Sequence, residues 1–349
     1  WNILNEVGVP RDRLNKPLLN RAVSSAYPPG STFKPFMALA GLASGKRSLS
    51  YRMSDSGGFA FGGHYFRDHK KGGHGIVDMH KSIVVSCNTF YYVLANDMGI
   101  DTMARHLSQF GFGVLTGIDI PDEKEGVLPS SAWKRKRFLK QGPAHQKWYA
   151  GETISVGVGQ GYNAYTTVQM ASATATIASG GKRMRPRVLR AVIDSQNQRQ
   201  EPPPELIGEL DASQEFITAV RLAMDDVTRG GTATRAFAGA PYRSGGKTGT
   251  AQVFSMKGQK HDKVDERMRD HSWYIAYAPS EEPTIAIAVM VENGGFGSVS
   301  AAPIARQVFD AYLLKKHVDK PAPETIGDED EDDIGDHRPS HPHIGEGAG

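Results

Sequence analysis

Ser31 and Lys34 stand three residues apart, directly after Pro28, Pro29 and Gly30. On a helix that spacing puts both side chains on one face, about one turn apart. A serine hydroxyl becomes a good nucleophile when a neighbouring base takes its proton, and a desolvated lysine is such a base. A helix N-terminus adds free backbone N–H groups that stabilise an oxyanion. The chemistry this pair points to is acyl transfer. Ser-x-x-Lys occurs by chance in many chains, so its company decides.

That company is ordered along the chain. Ser86-x-Asn88 adds a hydroxyl able to relay a proton and an amide able to hold a substrate amide. Taken alone it also reads as an ordinary helix cap. Lys247-Thr248-Gly249-Thr250 adds a cation and two hydroxyls on a strand edge, where Gly249 lets a ligand approach the backbone. Gly245-Gly246 before it would otherwise read as a turn.

The elements needed to position these residues are visible. Pro28 to Gly30 break the preceding chain, and Phe36, Leu39 and Ala40 begin the buried face of a helix that Ser31 opens. Helices are expected at 79–85 and 89–97, with Ser86-Cys87-Asn88 at their junction. Further helices are expected at 165–179, stopped by Gly180-Gly181, at 213–227 with Ser213 as N-cap, and at 301–315. Residues 273–278 and 284–291 form an antiparallel hairpin across Pro-Ser-Glu-Glu-Pro, with 247–254 as a third strand. Strand character is expected at 188–194 and a polar turn at 196–204. Residues 51–75 read as an irregular surface excursion and 126–149 as a basic loop. Its run Trp-Lys-Arg-Lys-Arg-Phe reads as a solvated charged face. A charged loop is expected at 256–270, and residues 1–26 form a polar lead-in. The Pro-, acid- and His-rich stretch 319–349 has too few apolar residues to pack and is expected to be disordered.

Composition sets limits. The chain has 349 residues, 39% hydrophobic and 23% charged, as in a soluble globular protein. Its 41 Lys+Arg against 38 Asp+Glu give too weak a positive balance for a nucleic-acid partner. No apolar run approaches the ~18 residues of a membrane helix. The chain opens at Trp1 without a start Met or signal peptide and reads as a piece of a longer protein. A single Cys excludes an internal disulfide.

The ordered triplet Ser-x-x-Lys, Ser-x-Asn and Lys-Thr-Gly resembles the signature of penicillin-binding proteins and class A β-lactamases. Tyr-Pro-Pro-Gly-Ser-Thr-Phe-Lys-Pro around Ser31 is similar to the first motif of class B penicillin-binding proteins. Tyr65-Phe-Arg-Asp68, His74-Gly, Trp133 to Phe138, Gly151 to Gly161 and Lys247-Thr-Gly-Thr-Ala-Gln-Val resemble the penicillin-binding protein 2 group, elongation-specific transpeptidases of rod-shaped Gram-negative bacteria. The resemblance runs from about Leu18 to Leu314.

It implies an α/β (α+β) fold, the penicillin-binding protein/β-lactamase-like transpeptidase fold. That is a central antiparallel sheet of about five strands flanked by helices, with an all-helical lobe and the active site between lobe and sheet. The transpeptidase domain would cover 1–318, and the intact protein would add an N-terminal membrane anchor and a pedestal domain. The implied activity is serine D,D-transpeptidation, with catalysis by Ser31, Lys34, Ser86, Asn88 and Lys247. Thr248, Gly249 and Thr250 would bind substrate, and the backbone N–H groups of Ser31 and Thr250 would form the oxyanion hole. The implied partners are peptidoglycan stem peptides, β-lactams and membrane proteins of the elongation complex, including a glycosyltransferase. The implied location is the inner membrane, with the catalytic domain in the periplasm. No cofactor is required for the acyl transfer itself.

Cys87 lies inside the second motif. From the residues alone it reads as a small buried hydrophobe beside solvated loop acids and histidines. Thiolate, imidazole and carboxylates are also an acceptable tetrahedral zinc set. The resemblance implies a structural zinc on Asp55, Asp68, His74 and Cys87, present in some members only, with His64, His69 and His80 as competing ligands. Rival readings are a β-lactamase or β-lactam sensor of the same fold, a D,D-carboxypeptidase and a non-catalytic scaffold. No acidic residue stands in a segment resembling the class A deacylation loop, which disfavours the first. The intact Ser31, Lys34, Ser86 and Lys247 disfavour the last.

Overall fold

The computed structural model describes residues 18–252 and 269–315. After a short helix α1 (Arg21–Ser24) and strand β1 (Ala26–Tyr27), a 3₁₀ turn at Gly30–Phe33 runs directly into α2 (Lys34–Ala43). Pro35 suits the first turn of α2, and every residue from Lys34 to Leu42 is buried. A helix apolar all round belongs in a core, and α2 is packed by four others: α3 (Met79–Val84), α4 (Asn88–Met98), α5 (Ile100–Leu107) and the later α10 (Gln214–Arg229).

The 51–75 segment differs from the expected irregular excursion. It forms two nested antiparallel ladders, with β2 (Arg52–Asp55) on β5 (Gly75–Asp78) enclosing β3 (Gly58–Phe61) on β4 (His64–Arg67). Strands of four residues with many glycines carry too little alternation to read, and the chain reverses at Gly62-Gly63 with positive φ. The 126–149 stretch also differs, folding as α6 (Ser131–Arg137) and α7 (Pro143–Gln146), followed by α8 (Ala150–Val156). Ser130 caps α6 by accepting Trp133 N–H, and charged residues mask the few apolar anchors.

β6 (Tyr165–Thr166) pairs with β1 and leads into α9 (Thr167–Ala178), opened by a Thr166/Gln169 capping box. β7 (Lys182–Met184) pairs with β10 (Leu206–Glu209). Of the strand expected at 188–194 only β8 (Val192–Ile193) forms, paired with β9 (Arg199–Gln200) inside the expected polar turn. Ser213 caps α10 as expected. A short α11 (Thr234–Phe237) precedes the central sheet.

That sheet orders β11 (Gly245–Ala251), β12 (His271–Ala278) and β13 (Ile285–Val291), all antiparallel, with Lys247 opposite Ile275 and Trp273 opposite Met290. β12 is buried almost throughout, as a central strand should be. α9 and α12 (Ala301–Leu314) pack on β12 and β13, and α10 runs along β11. Three strands of the expected five or so are found among the described residues. The N-terminal lead-in to residue 17, most of the charged loop, the end of the 247–254 strand and the tail from residue 316 lie outside the described residues. No helix among the described residues is long and apolar enough to cross a membrane.

Candidate active site

Ser31 sits on the 3₁₀ turn and lines a cavity of about 370 Å³ between the helices and β11. The turn is held from behind by aromatic packing. Phe33 is fully buried against Tyr165 at 5.6 Å and Phe112 at 5.7 Å, and such ring pairs contribute about 0.5–1.5 kcal/mol each. Gly30 (φ +54°) donates its N–H to Gly159 O at 3.0 Å, and a Cβ there would fall 2.4 Å from Thr250 O. Only glycine lets the Ser31 turn wedge between the lobe and the sheet.

Lys34 opens α2 with no exposure to solvent. Its Nζ donates to Ser86 O at 2.5 Å, Asn88 Oδ1 at 2.7 Å and Ser86 Oγ at 3.2 Å. Lys247, equally buried, reaches the same Ser86 Oγ at 2.9 Å and Thr248 O at 3.0 Å. One hydroxyl therefore links two buried lysines. Burial pushes Lys34 down to about 8, partly countered by the Asp68 carboxylate. Burial and the neighbouring Lys34 charge push Lys247 well below an ordinary lysine. Two ammonium groups on one buried hydroxyl repel, so the arrangement favours one neutral amine able to accept a proton. Ser31 Oγ makes no hydrogen bond among the described residues. Catalytic contacts of this kind often tighten only when substrate binds.

Ser86 holds its place through an unusual backbone. Its φ of +59° is in the left-handed region, a conformation worth about 1–3 kcal/mol of strain for a residue with a side chain. The residue links α3 to α4, and this twist carries its Oγ between the lysines.

The strand side is built on an edge. Thr250 O accepts from Gln160 Nε2 at 3.4 Å and lies beside Gly30, so it points away from β12. In an antiparallel ladder the N–H and C=O of one residue share a direction, so Thr250 N–H faces the same edge. Ser31 N–H belongs to the first turn of the 3₁₀ segment, where donors have no intrahelical acceptor. These two N–H groups are the pair that the resemblance assigns to an oxyanion hole. Gly249 differs in part from expectation. A Cβ there would meet Thr32 Cγ2 at 2.7 Å, so its first use is to seat the Ser31 turn on the strand. Thr248 Oγ1 is paired with Thr232 Oγ1 at 2.6 Å. Thr232, Gln160, Tyr92 and Phe296 line the cavity and were not singled out from sequence. Gln160 stands within the Gly151–Gly161 run and Thr232 follows Gly230-Gly231, which were the available signals.

Asp55, Asp68, His74 and Cys87 come together behind the second motif. Cys87 is fully buried, with Sγ 3.5 Å from Asp55 Oδ2, and it N-caps α4. His74 Nε2 lies 3.2 Å from Asp68 Oδ1 without hydrogen-bond geometry, leaving this buried nitrogen unsatisfied by any hydrogen bond. Ligating atoms of Asp55, Asp68 and Cys87 lie within 4.8 Å of one another, as do those of Asp68, His69 and His74. The two sets meet at Asp68, and a thiol, carboxylates and an unsatisfied imidazole nitrogen are donor types that suit a divalent cation. Burial pushes the Cys87 thiol upward, with both carboxylates adding to the shift. For Asp68 burial acts upward, but hydrogen bonds from His69, Thr89 and Lys70 outweigh it and hold the carboxyl well below the usual range. Of the competing ligands, His69 is close enough to take part, whereas His80 is paired with Asp226 at 2.9 Å.

Residues 2–310 match the family described as penicillin binding protein transpeptidase domain. The peptidoglycan D,D-transpeptidase MrdA of Acinetobacter baumannii is 44% identical over 319 residues, 89% of this chain and 46% of that protein. The structure resembles Pseudomonas aeruginosa PBP2 in complex with WCK 5153, with TM-score 0.76, 38% identity, and 88% of this chain and 66% of that one covered. It also resembles PBP2 of Helicobacter pylori in complex with MreC, with TM-score 0.74, 30% identity and coverage of 87% and 52%. The chain spans about half the length of the curated relatives it matches. With the three motifs converging on one cavity and a family match over nearly all the described residues, the chain belongs to the penicillin-binding protein transpeptidase domain family.

Proposed function

We propose that the protein is a serine D,D-transpeptidase that cross-links peptidoglycan stem peptides during cell elongation, and that β-lactams inhibit it by acylating Ser31. The observation that carries this reading is the single Ser86 hydroxyl within 3.2 Å of both Lys34 and Lys247, beside the cavity that Ser31 lines. Neutral Lys34 takes the Ser31 proton as Oγ attacks the carbonyl of the penultimate D-alanine. The oxyanion forms between the N–H groups of Ser31 and Thr250, each such donor being worth roughly 3 kcal/mol. The C–N bond then breaks, the leaving D-alanine amine takes a proton through Ser86, and an ester remains on Ser31. An acceptor amine attacks that ester, gives its proton to the same relay and regenerates the serine. Asn88 holds the acyl-chain amide, and Thr248 with Thr250 holds the terminal carboxylate.

In the whole protein we place this domain in the periplasm, tethered to the inner membrane by an anchor outside this chain. Protein partners of the elongation complex, a glycosyltransferase among them, fit that placement, and the Helicobacter pylori complex with MreC supports it. We also assign a structural zinc to Asp55, Asp68, His74 and Cys87, supported by the two ligand groups that share Asp68 and by the unsatisfied His74 Nε2. Its role would be to brace the segment that presents Ser86 and Asn88.

Incubation with uncross-linked strands bearing pentapeptide stems tests the activity. Released D-alanine together with cross-linked dimers is expected. D-alanine without dimers would make it a carboxypeptidase, and fast turnover of a chromogenic cephalosporin would make it a β-lactamase.

A further inference from the structure

From Gly126 to Gly151 the chain carries Lys134, Arg135, Lys136, Arg137, Lys140 and Lys147 and no carboxylate. The structure divides them. Lys134 turns inward, 3% exposed, with Nζ 2.5 Å from Glu152 Oε1 and within 5.7 Å of the Tyr149, Trp148 and Tyr162 ring centres. Glu152 is thereby taken. The other five are exposed, and none of their side chains makes an ion pair or hydrogen bond among the described residues, although Lys147 Nζ lies 5.7 Å from the Tyr149 ring centre. Elsewhere exposed arginines commonly have carboxylate partners, as in Arg185–Glu205, Arg199–Glu201 and Arg243–Asp225. An unneutralised group of cations concentrates positive potential in a way the small net charge of the chain does not.

The group sits on a fixed base. Ser131 donates through N and Oγ to Asp101 at 2.9 and 2.7 Å, and Trp133 and Phe138 pack on Tyr162 with ring centres 5.2 and 6.1 Å away. From there α8 runs about 10 Å toward the loop whose Val158 and Gln160 line the cavity of Ser31. Leu139 and Tyr149 stand exposed among the cations and offer apolar contact.

We propose that α6 and α7 form a docking surface for the acidic peptidoglycan strand, whose stem-peptide carboxylates pair with Arg135, Lys136, Arg137, Lys140 and Lys147 while one stem enters the cavity. The proposal rests on the transpeptidase reading, because that reading supplies the partner. Charge complementarity selects a polyanion, and the packing of Trp133 and Phe138 on Tyr162, two residues from the cavity-lining Gln160, selects the substrate strand over a separate membrane contact. The surface would raise encounter with polymeric substrate and leave chemistry at Ser31 unchanged.

The test compares wild type with a variant carrying Arg135→Gln, Lys136→Gln, Arg137→Gln and Lys140→Gln, all outside the catalytic set. Acylation by a fluorescent penicillin reports folding and chemistry, and should be equal in the two proteins. Binding to soluble uncross-linked strands, followed by anisotropy at two salt concentrations, should weaken by about tenfold in the variant and lose most of its salt dependence. Strands amidated on their stem-peptide carboxylates, with the terminal D-alanine carboxylate left free, should bind wild type as weakly as the variant binds native strands. Equal binding of native strands by both proteins would overturn the proposal. So would wild type preferring phosphatidylglycerol vesicles to strands, which would make the surface a membrane contact. If acylation falls in the variant alone, single Arg135→Gln and Lys140→Gln proteins with normal acylation replace it, and unchanged strand binding in both would overturn the proposal. Failure of wild type to be acylated would instead count against the transpeptidase reading.

Discussion

Asp68 Oδ2 accepts the backbone N–H of Asn88 at 2.6 Å, across twenty residues of sequence. The same oxygen accepts Thr89 N–H at 2.9 Å, so a carboxylate from the end of the nested ladders caps the helix that presents the second motif. Capping and charge-assisted hydrogen bonds of this kind make Asp68→Ala destabilising by about 1–3 kcal/mol. Acylation should slow as well, because Asn88 and Ser86 lose their anchor. Asp68→Asn keeps an acceptor and should fall between. Thermal unfolding alongside acylation rates checks this, and a fully active Asp68→Ala would uncouple the cap from the cavity.

Ser86 separates strain from chemistry. Ser86→Ala and Ser86→Gly both remove the hydroxyl between the lysines, and each should slow acylation by at least about 10²-fold. They should differ in stability. Gly tolerates the +59° φ without the penalty a side chain carries, so Ser86→Gly should be the more stable of the two. Equal activity of wild type and Ser86→Gly would remove Ser86 from the relay.

Lys34 sets a pH dependence. Its pKa is lowered by burial to about 8, against an ordinary lysine near 10.5 in the unfolded chain. Acylation should therefore rise with pH and level off above about 8, as Lys34 becomes the neutral base. For stability, between about 8 and 10.5 the unfolded chain holds a proton that the folded one has released. The burial penalty of the charged amine is therefore present in full below about 8, where this group gives no pH dependence, and stability should increase with pH across that window as the penalty is relieved. Lys247 is shifted in the same direction and adds to the slope. Urea unfolding of wild type and Lys34→Met between pH 8 and 9.5 should show a steeper rise for wild type.

Zinc is tested by metal analysis of purified wild type beside Cys87→Ser. Wild type should carry about one equivalent and the variant much less, and chelation should lower the unfolding temperature of wild type alone. Equal absence of zinc from both proteins would remove the assignment.

Much of the cavity is readable from local spacing. Ser31 with Lys34 share a helix, Ser86 and Asn88 flank a helix junction, and the 271–291 hairpin is announced by its β-branched and aromatic run. What escapes reading depends on contacts distant in sequence. The cap from Asp68 to Asn88 joins a short ladder to a helix, and glycine-rich four-residue strands carry almost no periodicity. Gln160 and Thr232 reach the cavity only because their loops fold over β11. Gly249 reads as an opening for ligand, whereas the structure also fills that space with Thr32, a neighbour fixed by tertiary packing. The basic run around Lys134 reads as uniformly solvated, because which of six cations turns inward is decided by Glu152 and three rings elsewhere in the chain.

The central claim is that Ser31 is the acylated nucleophile. Incubation with a fluorescent penicillin, followed by digestion and mass mapping, tests it most directly. A single adduct on the peptide containing Ser31, absent from Ser31→Ala, is the predicted result. Covalent labelling of Ser31→Ala, or an adduct mapped to any other residue, would contradict it.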